Sequence, residues 1–184
     1  VQGAMSHDYG GPAYQEYLGH FRGGIVFNLG CHLIDFVVAL LGRPTRVHSI
    51  LKAAGDVPDY VCNNGLAILE YPRTTATIRA CSLEVEGLSH RRLKLCGTGG
   101  TIELSPLERF DGQPLELRLT LRDGNAEYAA GTHTVSFPAR EDRYEEQLLE
   151  FARLVRGEIE TPWAYDHDET VQEVVLAAAG YRQL

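Results

Sequence analysis

The stretch of sequence that decides the fold is GGIVFNLGCHLID, over residues 23–35. It opens a helical pattern, because apolar residues recur from it three and four positions apart. The pattern predicts a helix from about Asn28 to Leu41, whose apolar face carries Leu29, Leu33, Phe36, Val37, Leu40 and Leu41. Gly42 and Pro44 come next, and both residue types favour the end of a helix.

The same helix is predicted to carry one narrow polar stripe. At about 100° per residue, His32 lies about 40° from Asn28, and Asp35 lies about 20° to the other side. An imidazole with an ordinary pKa of about 6.5 can take a proton from an alcohol and return it near neutral pH. The alternative is a histidine that bonds a backbone carbonyl and only packs. The role of Asp35 also has two interpretations: it can contact a substrate, or it can hold the helix to a neighbouring loop.

Residues 6–24 are rich in glycine, tyrosine and histidine, which predicts an irregular approach to this helix. Five of its side chains could line the mouth of a pocket, because aromatic faces and hydrogen-bonding tips suit sugar rings. They are Tyr9, Tyr14, Tyr17, His20 and Arg22. The alternative is that each is an ordinary surface residue. We interpret Gly3, Ala4 and Met5 as a remnant of expression and leave them out of the fold prediction.

From Val47 to Pro138 the hydrophobic period changes to two, which predicts a sheet. The predicted strands lie near 46–54, 60–71, 75–86, 91–96, 100–104, 115–122 and 132–138. The strand near 115–122 alternates leucine with polar residues, so it has one buried and one wet face. Residues 66–71 are apolar on both sides, and we expect a helix to cover one side and another subunit the other.

Two helices follow the predicted sheet. The first carries apolar residues from Tyr144 to Val155 and stops at Gly157. The second begins with Asp166 and Glu169, which resemble a capping box. We assign Asp166-His167-Asp168 to this helix start rather than to a metal site. The order of elements is α+β, and residues 1–184 show no repeat and no domain boundary.

Charge and cysteine usage exclude several classes of partner. Seventeen basic and 25 acidic side chains give a net charge of −8, which disfavours nucleic acid and anionic lipid. No apolar run approaches the roughly 20 residues of a membrane helix. The four cysteines are far apart, with no C-x-x-C pair, so we expect free thiols and no zinc site. A cytoplasmic location is the expectation.

The 23–35 stretch, with its short apolar helix and Gly-x-Pro, resembles the Gfo/Idh/MocA family of NAD(P)-dependent oxidoreductases, specifically its C-terminal domain. The resemblance continues through residues 64–71, the turn at 95–102 and residues 147–157. It implies an α+β fold with a large, predominantly antiparallel open sheet and helices on one face, as in the glucose-fructose oxidoreductase type. It also implies a homodimer or higher homo-oligomer through the open sheet face.

In that family a nucleotide-binding domain precedes this one and brings a G-x-G-x-x-G turn and a catalytic lysine in a Glu-Lys-Pro segment. Neither is found in this chain. The one similar glycine cluster, residues 97–100, precedes a strand-like run, so we assign it to a hairpin turn. The resemblance therefore implies NAD or NADP for a longer parent protein and no Rossmann domain or cofactor site here.

The resemblance places the acid/base histidine at His32 and a catalytic aspartate at Asn28. An amide cannot supply the negative charge that stabilises imidazolium, so we expect His32 to be a weaker base than in relatives with aspartate. The implied function is substrate binding and oligomerisation in an oxidoreductase acting on a sugar, cyclitol or related polyol by hydride transfer. The competing function, which Asn28 keeps open, is a non-catalytic assembly or ligand-binding module of the same fold.

Overall fold

The computed structural model of the chain describes residues 1–8, 11–139, 142, 144–161, 163 and 165–184. Eight strands form one sheet: β1 Gln2–Ser6, β2 Arg46–Lys52, β3 Asn64–Glu70, β4 Thr75–Cys81, β5 Arg92–Cys96, β6 Gly100–Leu104, β7 Leu115–Leu121 and β8 Gly131–Phe137. The helical elements are α1 Pro12–Gly19, a π-helical turn Val26–Gly30, α2 Cys31–Leu41, α3 Glu145–Val155 and α4 Tyr165–Ala178.

The sheet is open and almost entirely antiparallel, with the strand order β2-β3-β4-β1-β5-β6-β7-β8. The pair β1–β4 is the parallel one, with Gln2 opposite Thr77 and Ser6 opposite Cys81. The predicted α+β fold class is confirmed. Each strand of the predicted sheet is present, although β3 begins at Asn64 and β4 ends at Cys81, inside the predicted bounds.

The strand β1 corrects the interpretation of the first residues. Gly3, Ala4 and Met5 were set aside as an expression remnant, but they lie in the middle of the sheet, between β4 and β5. Ala4 and Met5 are buried, and a Cβ atom on Gly3 would lie 2.7 Å from Leu33. Five residues are too few for a periodic signal, so the hydrophobic pattern alone did not reveal this strand.

The helix α1 corrects a second expectation, the irregular segment before residue 24. Residues Pro12–Gly19 form a helix, and Pro12 is its first residue, a position where the missing N–H of proline costs nothing. Gln15 and Leu18 are the buried residues of α1. The buried side of the helix therefore fixes the positions of Tyr14 and Tyr17, which α1 itself carries.

The core lies between α2, α4 and the β1–β4 half of the sheet. Four residues of α2 are buried, Leu33, Ile34, Val37 and Val38, and each contributes about 1.5–3 kcal/mol of hydrophobic free energy. They pack with Ala67, Leu69 and Ile78 of the sheet and Val174 of α4. The helix ends at Gly42, whose N–H donates to Val38 O at 2.8 Å, as predicted.

Helical cover is thinner over the β5–β8 half. Leucines 115, 117 and 119 of β7 are only partly buried on the helix side of the sheet. The helix α3 has no buried residue, and its apolar side chains are exposed; Phe151, for example, is 65% exposed. This half of the sheet therefore has room beside α2 for a cleft.

The helix α4 begins at Tyr165, one residue before its predicted start, so Asp166 lies inside the first turn rather than at the cap. An acidic residue in that turn still favours the helix dipole. None of the described helices combines the length and apolar character that crossing a bilayer requires.

Candidate functional site

The predicted helix 28–41 contains a break in its hydrogen-bond pattern. Residues Val26–Gly30 form a π-helical turn, and regular α2 begins only at Cys31. In a π-turn each residue advances by less than 100° around the axis, because the bond spans five residues. The three side chains of the predicted polar stripe consequently have three different surroundings.

Close backbone approaches hold this turn in place. Gly24 has φ +45°, and a Cβ atom there would overlap the carbonyl oxygen of Cys62. That carbonyl accepts the N–H of Ile25 at 2.8 Å. Because Gly24 has no side chain, the backbone at the start of the π-turn can pack closely against the loop that precedes β3.

His32 lies in the first turn of α2 with an exposed side chain, at the edge of a cleft of about 990 Å³. Leu104, Leu115 and Leu117 of the sheet form one wall of this cleft. The other wall comes from the loop 107–113 and from residues near the start of α3, including Tyr144 and Gln147. An apolar wall with a few convergent polar groups is typical of a small-molecule site.

Two charged residues that line the cleft, Glu108 and Arg109, each have a partner of opposite charge. The Arg109 guanidinium donates to both carboxylate oxygens of Asp111, at 3.0 and 2.6 Å, and this holds the pKa of Asp111 down to about 2. Glu108 pairs with Arg91, which is buried and also donates to Ser6 O at 2.8 Å. The positive charges of Arg91 and Arg109 are therefore both balanced by a neighbouring carboxylate.

Asn28 lies in the π-turn and belongs to a hydrogen-bonded cluster beside α1. Its Oδ1 accepts the Tyr14 hydroxyl at 2.7 Å, and its Nδ2 donates to the Tyr17 hydroxyl at 3.3 Å. His7 Nε2 lies 3.0 Å from the same Tyr14 oxygen. Asn28 and Tyr14 are therefore brought together, while the described lining of the cleft contains His32 and not Asn28.

Asp35 lies one turn beyond His32 on α2. Its Oδ1 is 2.8 Å from Nε2 of His167, and the His167 ring stacks on Trp163 at 4.6 Å between centroids. Of the two possibilities open for Asp35, this contact supports the one that ties the helix to a neighbouring element, here α4.

The remaining candidates lie elsewhere. His20 is the exposed C-cap of α1. The backbone N–H of Arg22 donates to the Tyr181 hydroxyl at 2.9 Å, near the C-terminus. Tyr9 lies outside the described residues.

Two residues in this region were missed as site components, His7 and His167. His7 lies in the segment that was predicted to be irregular, outside the segments with a clear period. His167 was assigned to a helix start. His7 contacts Tyr14, which is seven residues away in the sequence and bonds to Asn28. His167 contacts Asp35, which is 132 residues away. No local spacing signals such contacts.

The chain resembles solved structures of oxidoreductases over almost all its length. A protein described as an NADPH-dependent oxidoreductase from Desulfitobacterium hafniense has a TM-score of 0.70 and 19% identity, covering 100% of this chain and 55% of that one. A 3-ketoreductase from Actinomadura kijaniata, in complex with TDP-benzene and NADP, has a TM-score of 0.71 and 16% identity, covering 97% and 52%. YvaA of Bacillus subtilis, described as an oxidoreductase, has a TM-score of 0.65 and 15% identity, covering 100% and 56%.

This chain therefore spans about half the length of these relatives. A search of curated protein sequences finds no match. The family description "GFO/IDH/MocA C-terminal domain" matches residues 1–103, which is more than half of the chain. The chain belongs to the GFO/IDH/MocA C-terminal domain family.

Proposed function

We propose that this chain is the C-terminal, substrate-binding and oligomerisation domain of an NAD(P)-dependent oxidoreductase that acts on a sugar, cyclitol or related polyol. The observation that carries the proposal is the exposed imidazole of His32 at the edge of an apolar-walled cleft. The 3-ketoreductase of similar fold, solved with NADP and TDP-benzene, supports a sugar-type substrate. A nucleotide-binding domain in the other half of the full-length protein completes the site.

In the proposed mechanism His32 accepts the proton of the substrate hydroxyl during oxidation and returns it during reduction. The apolar wall of Leu104, Leu115 and Leu117 packs against the carbon face of the substrate and limits water beside the reacting atoms. The polar groups of the cleft, including Gln113 and Gln147, supply hydrogen bonds for further hydroxyls. When bound, a nicotinamide cofactor supplies the hydride chemistry.

The glycine cluster at residues 97–100 does not fit a dinucleotide site. Residues 97–100 are the turn of the β5–β6 hairpin, closed by a bond from Gly97 N–H to Gly100 O at 2.9 Å. A strand rather than a helix N-terminus follows, so no ring of helical N–H groups meets a pyrophosphate there. Substrate binding and proton transfer are the contributions that we propose for this chain.

A calorimetric titration tests this division of labour. The 184-residue chain should give no heat of binding with NAD⁺ or NADP⁺, because the fold supplies no phosphate cradle at its glycine cluster. The full-length protein should bind one of the two. Tight binding by the 184-residue chain itself would contradict the proposed division.

We further propose a homodimer through the open face of the sheet. Ile50 on this face is 50% exposed, and Leu66 and Ile68 are half-buried beside it. Apolar residues on an uncovered sheet face favour pairing with a second copy. We also propose a cytoplasmic location for the full-length protein, which the four free cysteines support.

Light scattering at high concentration should therefore give the mass of a dimer or a larger assembly. Ile50→Glu should weaken the assembly, since it places a charge at the centre of the apolar contact. Leu40→Glu is the matched control, because Leu40 is also 51% exposed but lies on α2, on the other side of the sheet. A monomer at every concentration, or equal loss in both variants, would count against this interface.

A second function, a non-catalytic ligand-binding or assembly module of the same fold, is favoured by one observation. Position 28 carries an amide rather than a carboxylate, and that amide is engaged by Tyr14 and Tyr17. Turnover by the full-length protein separates the two functions.

A further inference from the structure

A chain of hydrogen bonds runs from the end of β1 to the π-turn. His7 directly follows β1 and is only 1% exposed. Its Nε2 lies 3.0 Å from the Tyr14 hydroxyl, which in turn donates to Asn28 Oδ1 at 2.7 Å. Asn28 Nδ2 continues the chain to the Tyr17 hydroxyl at 3.3 Å. Three elements, β1, α1 and the π-turn, are linked in this way.

The chemistry of the groups fixes the direction of each bond. An amide oxygen can only accept, so the single proton of the Tyr14 hydroxyl is directed at Asn28. The Tyr14 oxygen must then accept from His7, which requires the His7 proton to be on Nε2. Burial, helped by the charge of Arg91, lowers the pKa of His7 to about 4, so the ring is neutral near pH 7.

The arrangement of these groups sets the orientation of the Asn28 side chain. With Tyr14 donating to its oxygen, the amide presents its N–H edge on the side of Tyr17, whose side chain is 45% exposed. An amide in this orientation can donate a hydrogen bond to a hydroxyl or carbonyl oxygen. A carboxylate at the same position could only accept.

We propose that His7 and Tyr14 are positioning residues that orient Asn28 as a hydrogen-bond donor to an oxygen of the substrate. Asn28 lies four residues before His32 and outside the described lining of the cleft, so the oxygen that it meets belongs to a part of the substrate that extends from His32 toward Tyr17. The link to substrate rests on the function proposed above. The orientation itself is a property of the folded chain and can be tested without any turnover.

The tautomer of His7 tests the orientation. Full-length protein labelled with ¹⁵N-histidine is studied by long-range ¹H–¹⁵N correlation at pH 7, and the His7 signals are assigned by their loss in His7→Gln. The expected pattern is a neutral ring protonated at Nε2. A ring protonated at Nδ1 would mean that Tyr14 donates to His7 instead of Asn28, and this result would overturn the proposal.

Kinetics test the positioning role. Tyr14→Phe removes the bond to Asn28 and should lower kcat about tenfold, a typical effect of one lost hydrogen bond of about 1.4 kcal/mol, with a smaller change in KM. His7→Leu should have a similar effect. His7→Gln should recover most of the lost activity, because its side-chain amide can donate to Tyr14 in place of the imidazole. Tyr128→Phe, in the β7–β8 connection, is the matched control for loss of a tyrosine hydroxyl.

The outcomes separate the two proposals. Turnover is followed as NAD(P)H absorbance with D-glucose, D-xylose and myo-inositol as probes. If Tyr14→Phe and His7→Leu retain the kcat of the wild type while His32→Ala loses it, the positioning role is wrong and the proposed function stands. If the wild type shows no turnover with these probes, the donor role toward substrate fails with the proposed function, and the His7 tautomer still decides the orientation.

Discussion

If the proposed function is right, replacing His32 by alanine in the full-length protein should lower kcat by about 10²- to 10⁴-fold, the usual contribution of a general acid/base. The side chain is exposed at the edge of the cleft and lies on the face of α2 opposite its buried residues. The substitution should therefore leave the fold and the thermal unfolding temperature nearly unchanged. Steady-state turnover with NAD⁺ or NADP⁺ and a polyol or sugar measures the effect.

The matched control is His90→Ala. His90 is an exposed histidine in the turn before β5 and lies outside the described lining of the cleft. The His90→Ala variant should keep the kcat of the wild type. If His32→Ala turns over as fast as the wild type, His32 is not the general acid/base, and the result favours the non-catalytic module.

The second large effect concerns stability. Gly24→Ala should lower the free energy of unfolding by about 2–5 kcal/mol. About 1–3 kcal/mol is expected from a non-glycine residue at a positive φ, and the remainder from overlap of the new Cβ with Cys62 O. For a chain of this length, such a loss corresponds to a fall of roughly 10 °C in the unfolding temperature. Calorimetry or circular dichroism on heating measures it.

Gly157→Ala separates the two contributions. Gly157 also has a positive φ, +69°, but no atom lies within 4 Å of the position that its Cβ would take. Only the conformational cost of about 1–2 kcal/mol should remain. If both variants lose the same stability, the close approach at Cys62 contributes nothing, and the explanation given for the double glycine is wrong.

Local patterns were enough to predict most of the fold. The leucine alternation at 115–121 marked β7, and the apolar spacing after Asn28 marked α2, because each pattern repeats several times within one element. The family resemblance added the open, mostly antiparallel sheet. The elements that escaped prediction, β1 and α1, are short and carry too few apolar residues to establish a period.

The site was less predictable than the fold. The exposed position of His32 could be predicted from its place opposite the leucines of α2. The partners of Asn28 and Asp35 could not be predicted. Asn28 bonds to Tyr14 from within a π-turn, and Asp35 contacts His167, which is 132 residues away in the sequence. A regular angle of 100° per residue holds only where the hydrogen bonds are regular, and here they change at Cys31.

The strand β1 also has a consequence for how the protein is made. Residues 2–6 are synthesised well before their partners, which are Thr77–Cys81 on one side and Arg92–Lys94 on the other. At about 5–20 residues per second, residues 2–6 wait several seconds for these partners to emerge. Meanwhile its backbone groups have no sheet to join, and chaperones or other nascent chains have access to them. The two sides of the sheet can be assembled only after translation has passed residue 94.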